Sequence, residues 1–551
     1  MKTITIKHFA LSAALLTAVA SCKQEQLKLV QPTTTQTTPS KGNLDFTKFI
    51  SIGNSLTSGF QAGALFTSGQ QNSFPLILSK QFSVAQGTAI TFNQPDIKSV
   101  NGYNASYSDP THGVILGRLF LYAADTVQAD AMPTPAGAYL PAGTAPYNSA
   151  DLIGAYTGDK TKLNNFGVPG ILLGHIFAPQ VGDPTNGNPY YARFASAPGT
   201  STILGDALAT NPTFFTFDLG NNDVLGYAIS GGKTGATITS AGDFDAQYKN
   251  AINTIISNTS AKGVLTTVPD VTTIPFFTTI TWNYIPLDDA TATMLMGADA
   301  FGGYNQIMTG IAQAITANPS GFGLDAPTAA FISAQISTRL VNYTESSNNA
   351  ILIKDETLVD MKPFFDALLS ASQITQDQRT ALEPYRQIRQ TTSADYIPLS
   401  TAAVLGQPVS SQTPQYIYGV SVPLDDQYVL IKPEVDSVKN AVTSYNSTIN
   451  AVAASYSTRI AVADVYTLLN NLVAQGFVAE NYVTIKPTFA PPFGAFSEDG
   501  VHLNSRGYAY MANAIIDAIN AKTSWGAYVP PADISQYSGT GLPYGPNGLI
   551  H

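Results

Sequence analysis

The chain has 551 residues, of which 44% are apolar and only 12% charged, with a formal net charge of -10. That balance describes a folded globular protein and excludes a disordered one. A sequence pI near 4.9 leaves no basic patch, which excludes nucleic acid or an anionic membrane surface as the main partner.

At the N-terminus, Lys2 and Lys7 accompany an apolar stretch from Phe9 to Ala20. The stretch is too short to span a bilayer and has the shape of a secretory signal peptide over residues 1–21. It ends in Val19-Ala20-Ser21-Cys22, which resembles a bacterial lipobox. The resemblance implies cleavage before Cys22 and lipidation of its sulfur, so that acyl chains tie the protein to a membrane. No Asp follows Cys22, and family habit then places the anchor in the outer membrane of a Gram-negative cell envelope, periplasmic or surface-facing. Cys22 is the only cysteine, which excludes an intrachain disulfide. Residues 22–43, rich in Thr and Gln, read as the lipidated cysteine and a flexible linker. A folded domain is expected over 44–526.

Five strands are predicted next, alternating with helical patterns. The first runs from Phe46 to Gly53 and the second from Leu163 to Gly167. The third is Thr213 to Leu219, the fourth Gly263 to Pro269 and the fifth Arg459 to Tyr466. Helical periodicity covers Asp243 to Ser260 and Glu434 to Ser455, ahead of the fourth and fifth strands. A last helix over Ser505 to Ala521 puts Tyr508, Met511, Ala512, Ile515, Ile516 and Ile519 on one stripe. The alternation predicts a parallel sheet with helices on both faces.

Two stretches exceed what such a fold needs, about 60–161 and 270–430. The second leaves and rejoins the sheet at its C-terminal edge, where ligands of open α/β folds bind, and it is expected to form a cap. Its aromatics, among them Phe276, Phe277, Trp282 and Tyr284, either line a cleft or form the insertion's own core. Residues 527–551 read as an irregular tail.

The chemistry starts where the first strand breaks. Gly53-Asn54-Ser55-Leu56 delivers a serine hydroxyl at the sheet's C-terminal edge. A serine there is a poor nucleophile without a base and oxyanion donors. Of the five histidines, His8 lies in the signal peptide, His551 is the last residue, and His112 and His175 suit structural or solvated roles. His502 stands in Glu498-Asp499-Gly500-Val501-His502, just before the last helix, with a carboxylate three residues upstream that can orient it. Gly220-Asn221-Asn222-Asp223 follows the third strand, so two amides emerge at the same edge as Ser55. Asn165-Phe166-Gly167-Val168-Pro169-Gly170 ends the second strand, where a glycine can offer its N–H. Acidic pairs such as Asp288-Asp289 and Asp425-Asp426 read as solvated loop charges, and His and carboxylate residues nowhere cluster at metal-ligand spacing.

Taken in order, these four blocks resemble those of the SGNH, or GDSL, hydrolases. The resemblance covers the α/β core and not the insertions or the tail. It implies a flavodoxin-like three-layer α/β/α sandwich. By position it makes Ser55 the nucleophile, His502 the general base and acid, and Asp499 the residue that orients His502. It assigns the oxyanion hole to the Ser55 N–H, the Gly170 N–H and the Asn222 side chain; Gly170 is chosen over Gly167 for its spacing from Asn165. Asn54 departs from the usual Asp before the serine. The expected activity is that of a lipoprotein serine esterase or lipase, which needs no cofactor or metal, acting on an acyl lipid or an acetylated polysaccharide. An O-acyltransferase with the same triad and a non-catalytic glycan- or lipid-binding surface lipoprotein are the alternatives.

Overall fold

The computed structural model describes residues 38–104, 108–109, 114–115, 117–123, 131–135, 153–413, 415–545 and 548–549. The signal peptide, Cys22, most of the linker and His8, His112 and His551 lie outside the described residues. From Pro39 onward the chain is one compact unit.

Its centre is a five-stranded, all-parallel sheet of β1 (Phe49–Gly53), β2 (Asn165–Gly167), β3 (Phe214–Asp218), β4 (Lys262–Thr266) and β5 (Ile460–Ala463). The spatial order is β5-β4-β3-β1-β2. Every residue of β1 and β3 is buried, which is why these strands read as mainly apolar runs without a regular polar alternation. The strands are shorter than the apolar runs that predict them. Phe46, for example, is fully buried yet precedes the ladder, because hydrophobicity reports burial and not hydrogen bonding.

Among its helices are α1 (Ser55–Ser58), α2 (Phe74–Gln86), α3 (Asn222–Ile229), α4 (Ala241–Asn258), α5 (Phe301–Ala317), α6 (Ala326–Arg339), α7 (Lys432–Ser455), α8 (Val465–Gln475) and α9 (Ser505–Ala521). On one face α4 packs against α7, with the rings of Phe244 and Tyr445 stacked 3.9 Å apart. On the other, α9 packs against α2 and runs over β4 and β5. All six residues of the predicted α9 stripe are buried. The 60–161 stretch contains α2, the crossover helix that a parallel β1–β2 connection requires.

The 270–430 stretch builds a second apolar core. In it α5 contributes Met308, Ile311 and Ile315, and α6 contributes Ile332 and Ile336. Arg389, buried there, is bridged by Asp355 (2.5 Å) and Asp395 (2.7 Å). The four aromatics divide. Phe277 joins the core of the sheet, Phe276 packs on it, Trp282 is half-buried and Tyr284 is exposed. Phe277 therefore neither lines a cleft nor belongs to the insertion's core. The tail packs on the same unit: Tyr528 pairs with Ser40, Val529, Ala532 and Ile534 are buried, and Tyr544 adds to a small sheet beside Tyr122. No described helix is long and apolar enough to cross a membrane.

Glu434, in the first turn of α7, is buried with its carboxylate accepting the Ile431 N–H at 2.8 Å. Burial, and then the neighbouring Glu356 and Asp426 charges, push this carboxyl up to about 8. A raised folded-state pKa favours the fold in acid: the contribution is complete below the ordinary carboxylate pKa and is lost as pH rises to about 8. Glu434→Gln, which keeps an acceptor for Ile431, should match wild type in thermal melts near pH 4 and melt several degrees higher at pH 9. An equal difference at both pH values would show that no proton is linked to folding at this site.

Candidate active site

The end of β1 is shaped by close approach. A Cβ on Gly53 would stand 2.0 Å from Thr57 Oγ1 and 2.7 Å from the Asp218 carbonyl oxygen, so only glycine lets α1 fold back onto the strand end. The Asn54 side chain then caps α1 by accepting the Leu56 N–H at 2.9 Å. Gly59, at φ +79°, closes that single turn. Ser55 is thereby fixed at the C-terminal edge, between the ends of β2 and β3. This is the topological switch point of the sheet, where the chain passes from β1 out to edge strand β2 and back to β3 on the other side.

His502 arrives from 447 residues away, and its Nε2 lies 2.9 Å from Ser55 Oγ. Its other ring nitrogen, Nδ1, lies 2.8 Å from Asp499 Oδ2. The Phe60 ring packs on the imidazole with centroids 4.8 Å apart. A hydroxyl, an imidazole and a carboxylate therefore form one hydrogen-bonded line.

Asp499 is held more firmly than a lone i,i+3 pair. Its Oδ1 accepts the Val501 N–H (2.9 Å), the His502 N–H (2.8 Å) and the Ser497 hydroxyl (3.1 Å). Its Oδ2 also accepts the Gly63 N–H at 2.7 Å, and the adjacent Ala62 N–H donates to Ser497 Oγ at 2.8 Å. Burial works to raise this carboxyl, but the His502 charge and these hydrogen bonds outweigh it and hold it below the ordinary carboxylate range. The insertion touches the same loop, because the Phe276 N–H donates to the Gly500 carbonyl at 2.9 Å. Ser497 and the 61–63 turn carry no signal in the sequence: their role exists only because residues more than 430 apart meet.

The other two blocks meet as well. Asn165 donates from Nδ2 to the Thr57 carbonyl (2.9 Å) and accepts the Gly167 N–H (2.9 Å). Gly167 therefore has its N–H engaged, whereas the Gly170 N–H has no partner among the described residues. Gly170 is exposed and sits at φ +78°. Asn222 Nδ2 donates to the Ile171 carbonyl at 2.9 Å, and Asp223 accepts the Leu173 N–H at 2.9 Å, so the start of α3 is tied to the loop carrying Gly170. The Asn222 amide has a second N–H to give. His175 plays a local role, its Nδ1 accepting the Leu172 N–H at 3.2 Å.

The two glycines predict different penalties. A Cβ on Gly167 would stand 2.3 Å from the Ser58 amide nitrogen, so backbone must move, while one on Gly170 meets nothing within 4 Å. Gly167→Ala should cost about 1–3 kcal/mol and displace α1. Gly170→Ala should carry only the left-handed strain of roughly 1–2 kcal/mol. Denaturant melts of both variants test this: stability should fall further in Gly167→Ala, and a greater loss in Gly170→Ala would contradict it.

Among the described residues one group of carboxylates is close enough to share a cation. Glu356, Asp426 and Glu434 each place an oxygen within 4.8 Å of the others. None hydrogen-bonds to Ser55, His502 or Asp499. Asp426, read from sequence as a solvated loop charge, is partly buried here beside Glu434 and the more distant Glu356.

Compared with models of protein families, with curated proteins and with solved structures, the chain finds no match.

Proposed function

We propose that the protein is a serine ester hydrolase of the SGNH, or GDSL, type, exported and lipid-anchored through Cys22. The observation that carries the reading is the line Ser55 Oγ–His502 Nε2 (2.9 Å) and His502 Nδ1–Asp499 Oδ2 (2.8 Å), placed where α/β sheets bind ligands. In this reading His502 takes the Ser55 proton as Oγ attacks the carbonyl carbon of a carboxylic ester, and Asp499 stabilises the imidazolium. The tetrahedral oxyanion is met by the N–H groups of Ser55 and Gly170 and by the Asn222 amide. Collapse expels the alcohol, which receives its proton from His502, and leaves an acyl group on Ser55. Water, deprotonated by His502, then releases the acid and restores the serine. The mechanism calls for no metal or organic cofactor. Asn54 keeps the capping role that an Asp would have there, so its departure from the family pattern leaves the nucleophile intact.

The substrate class is an acyl lipid or an acetylated polysaccharide, reached from the outer membrane. Hydrolysis of p-nitrophenyl acetate and p-nitrophenyl octanoate by the full-length chain tests the reading. The account requires turnover of at least one, and their ratio separates an acetyl esterase from a lipase. Inertness toward both, with intact folding, would favour the binding-protein alternative.

A further inference from the structure

A cavity of about 210 Å³ lies beside the Asp499 loop. Its wall includes Gln61, Ala62 and Glu498, so it shares the segments that hold Asp499 without including Ser55 or His502. Two polar groups around it have no partner among the described residues. Gln61 is 7% exposed, and its Nε2 has no hydrogen-bond partner among them. The buried Nε of Arg118 likewise has none, while its guanidinium lies 4.9 Å from the Phe66 ring centre and 5.0 Å from that of Phe120. The Glu498 carboxylate forms no ion pair with Arg118, although the two face one space. Unsatisfied buried donors are uncommon and call for an occupant.

Size and charge define that occupant. The volume holds far more than one water, which needs roughly 10–15 Å³ on this measure, and falls short of the roughly 300–1,000 Å³ of pockets for drug-sized ligands. Arg118 opposes a cation and Glu498 opposes an anion, so charge selects a neutral molecule. Two free N–H donors and a carboxylate acceptor together call for groups that both accept and donate, which is what hydroxyls do. The rim residues Ser68, Ser538 and Gly541 are exposed, so a ligand can enter past them. Burial, and then the charge of Asp499, push the Glu498 carboxyl up to about 7, so the charge balance with Arg118 holds above that pH.

We propose that this cavity binds one neutral, polyhydroxylated ring, either a free sugar or a single sugar unit of a longer glycan, at a site separate from Ser55. The proposal stands on the cavity and not on the esterase reading.

The test is titration of the full-length chain with glucose, N-acetylglucosamine and maltotetraose, followed by ligand-observed NMR, with acetate and sulfate as anion controls. Saturable binding of a sugar is expected, weakened about tenfold or more in Arg118→Met, the loss of one buried hydrogen bond being worth about that factor, and weakened as much in the rim variant Ser538→Trp, whose ring obstructs the entrance. Ser55→Ala should bind as wild type does. Tighter binding of the tetramer than of the single sugars points to a glycan unit; equal or weaker binding points to the free sugar. No saturable sugar binding, preference for the anions, binding unchanged in both cavity variants, or binding lost in Ser55→Ala would each overturn the proposal. If Arg118→Met fails to fold, Ser538→Trp, at an exposed position, decides alone.

Discussion

Ser55→Ala should lower kcat/KM for p-nitrophenyl ester hydrolysis by roughly 10⁵–10⁶-fold while leaving the melting temperature unchanged. The size follows from the role: without the nucleophile only oxyanion stabilisation and binding remain, worth about 10³–10⁴ over water in triad hydrolases. The unchanged melt follows from the geometry. The Ser55 hydroxyl is paired with His502 Nε2, whereas the backbone of α1 is held by other groups: the Asn54 cap, the Ser58 hydroxyl on the Ser55 carbonyl at 2.8 Å, and Asn165 on Thr57. Steady-state kinetics beside a thermal melt check both halves. Activity retained within tenfold would place the chemistry elsewhere in the molecule.

Asp499→Asn should lower kcat by about 10³–10⁴-fold and, unlike Ser55→Ala, should also destabilise. The carboxylate accepts from five donors, three at Oδ1 and two at Oδ2. An amide has one acceptor oxygen. Whichever way Asn turns, its NH₂ faces N–H groups, either those of Gly63 and His502 Nδ1 or those of Val501 and His502. The first orientation reverses the histidine tautomer and the second loosens the 499–502 turn. Because Asp499 is held below the ordinary carboxylate range, the stability it contributes is present above the unfolded-state pKa near 3.8 and is lost as pH falls through its folded value. The wild-type and variant melts should therefore converge in acid, and a constant gap down to the lowest accessible pH would contradict the linkage.

The sheet was legible because fully buried parallel strands leave mainly apolar runs, as Phe214 to Phe217 does with three phenylalanines in four residues, and α9 because its stripe keeps the helical period. The residues brought together at the site were legible as short blocks at strand ends, where turn chemistry demands Gly and Asn. Strand ends were less so, since Phe46 packs as a strand residue would without joining the ladder. The division of Phe277 from Tyr284 was also hidden, since both are aromatic and only the path of the chain decides which faces the sheet. Least legible were the supports of the site. Ser497, the Ala62–Gly63 amides and the Arg118–Glu498 cavity arise from contacts between segments hundreds of residues apart, and no local pattern encodes them.

The central claim is that Ser55 is a nucleophile activated by His502. Its most direct test is reaction with a small serine-reactive phosphonate, with the modified peptide mapped by mass spectrometry. The account predicts one adduct per chain, on Ser55, formed far more slowly in His502→Ala and absent from Ser55→Ala. An adduct on another serine, or none on a folded wild-type chain, would contradict it.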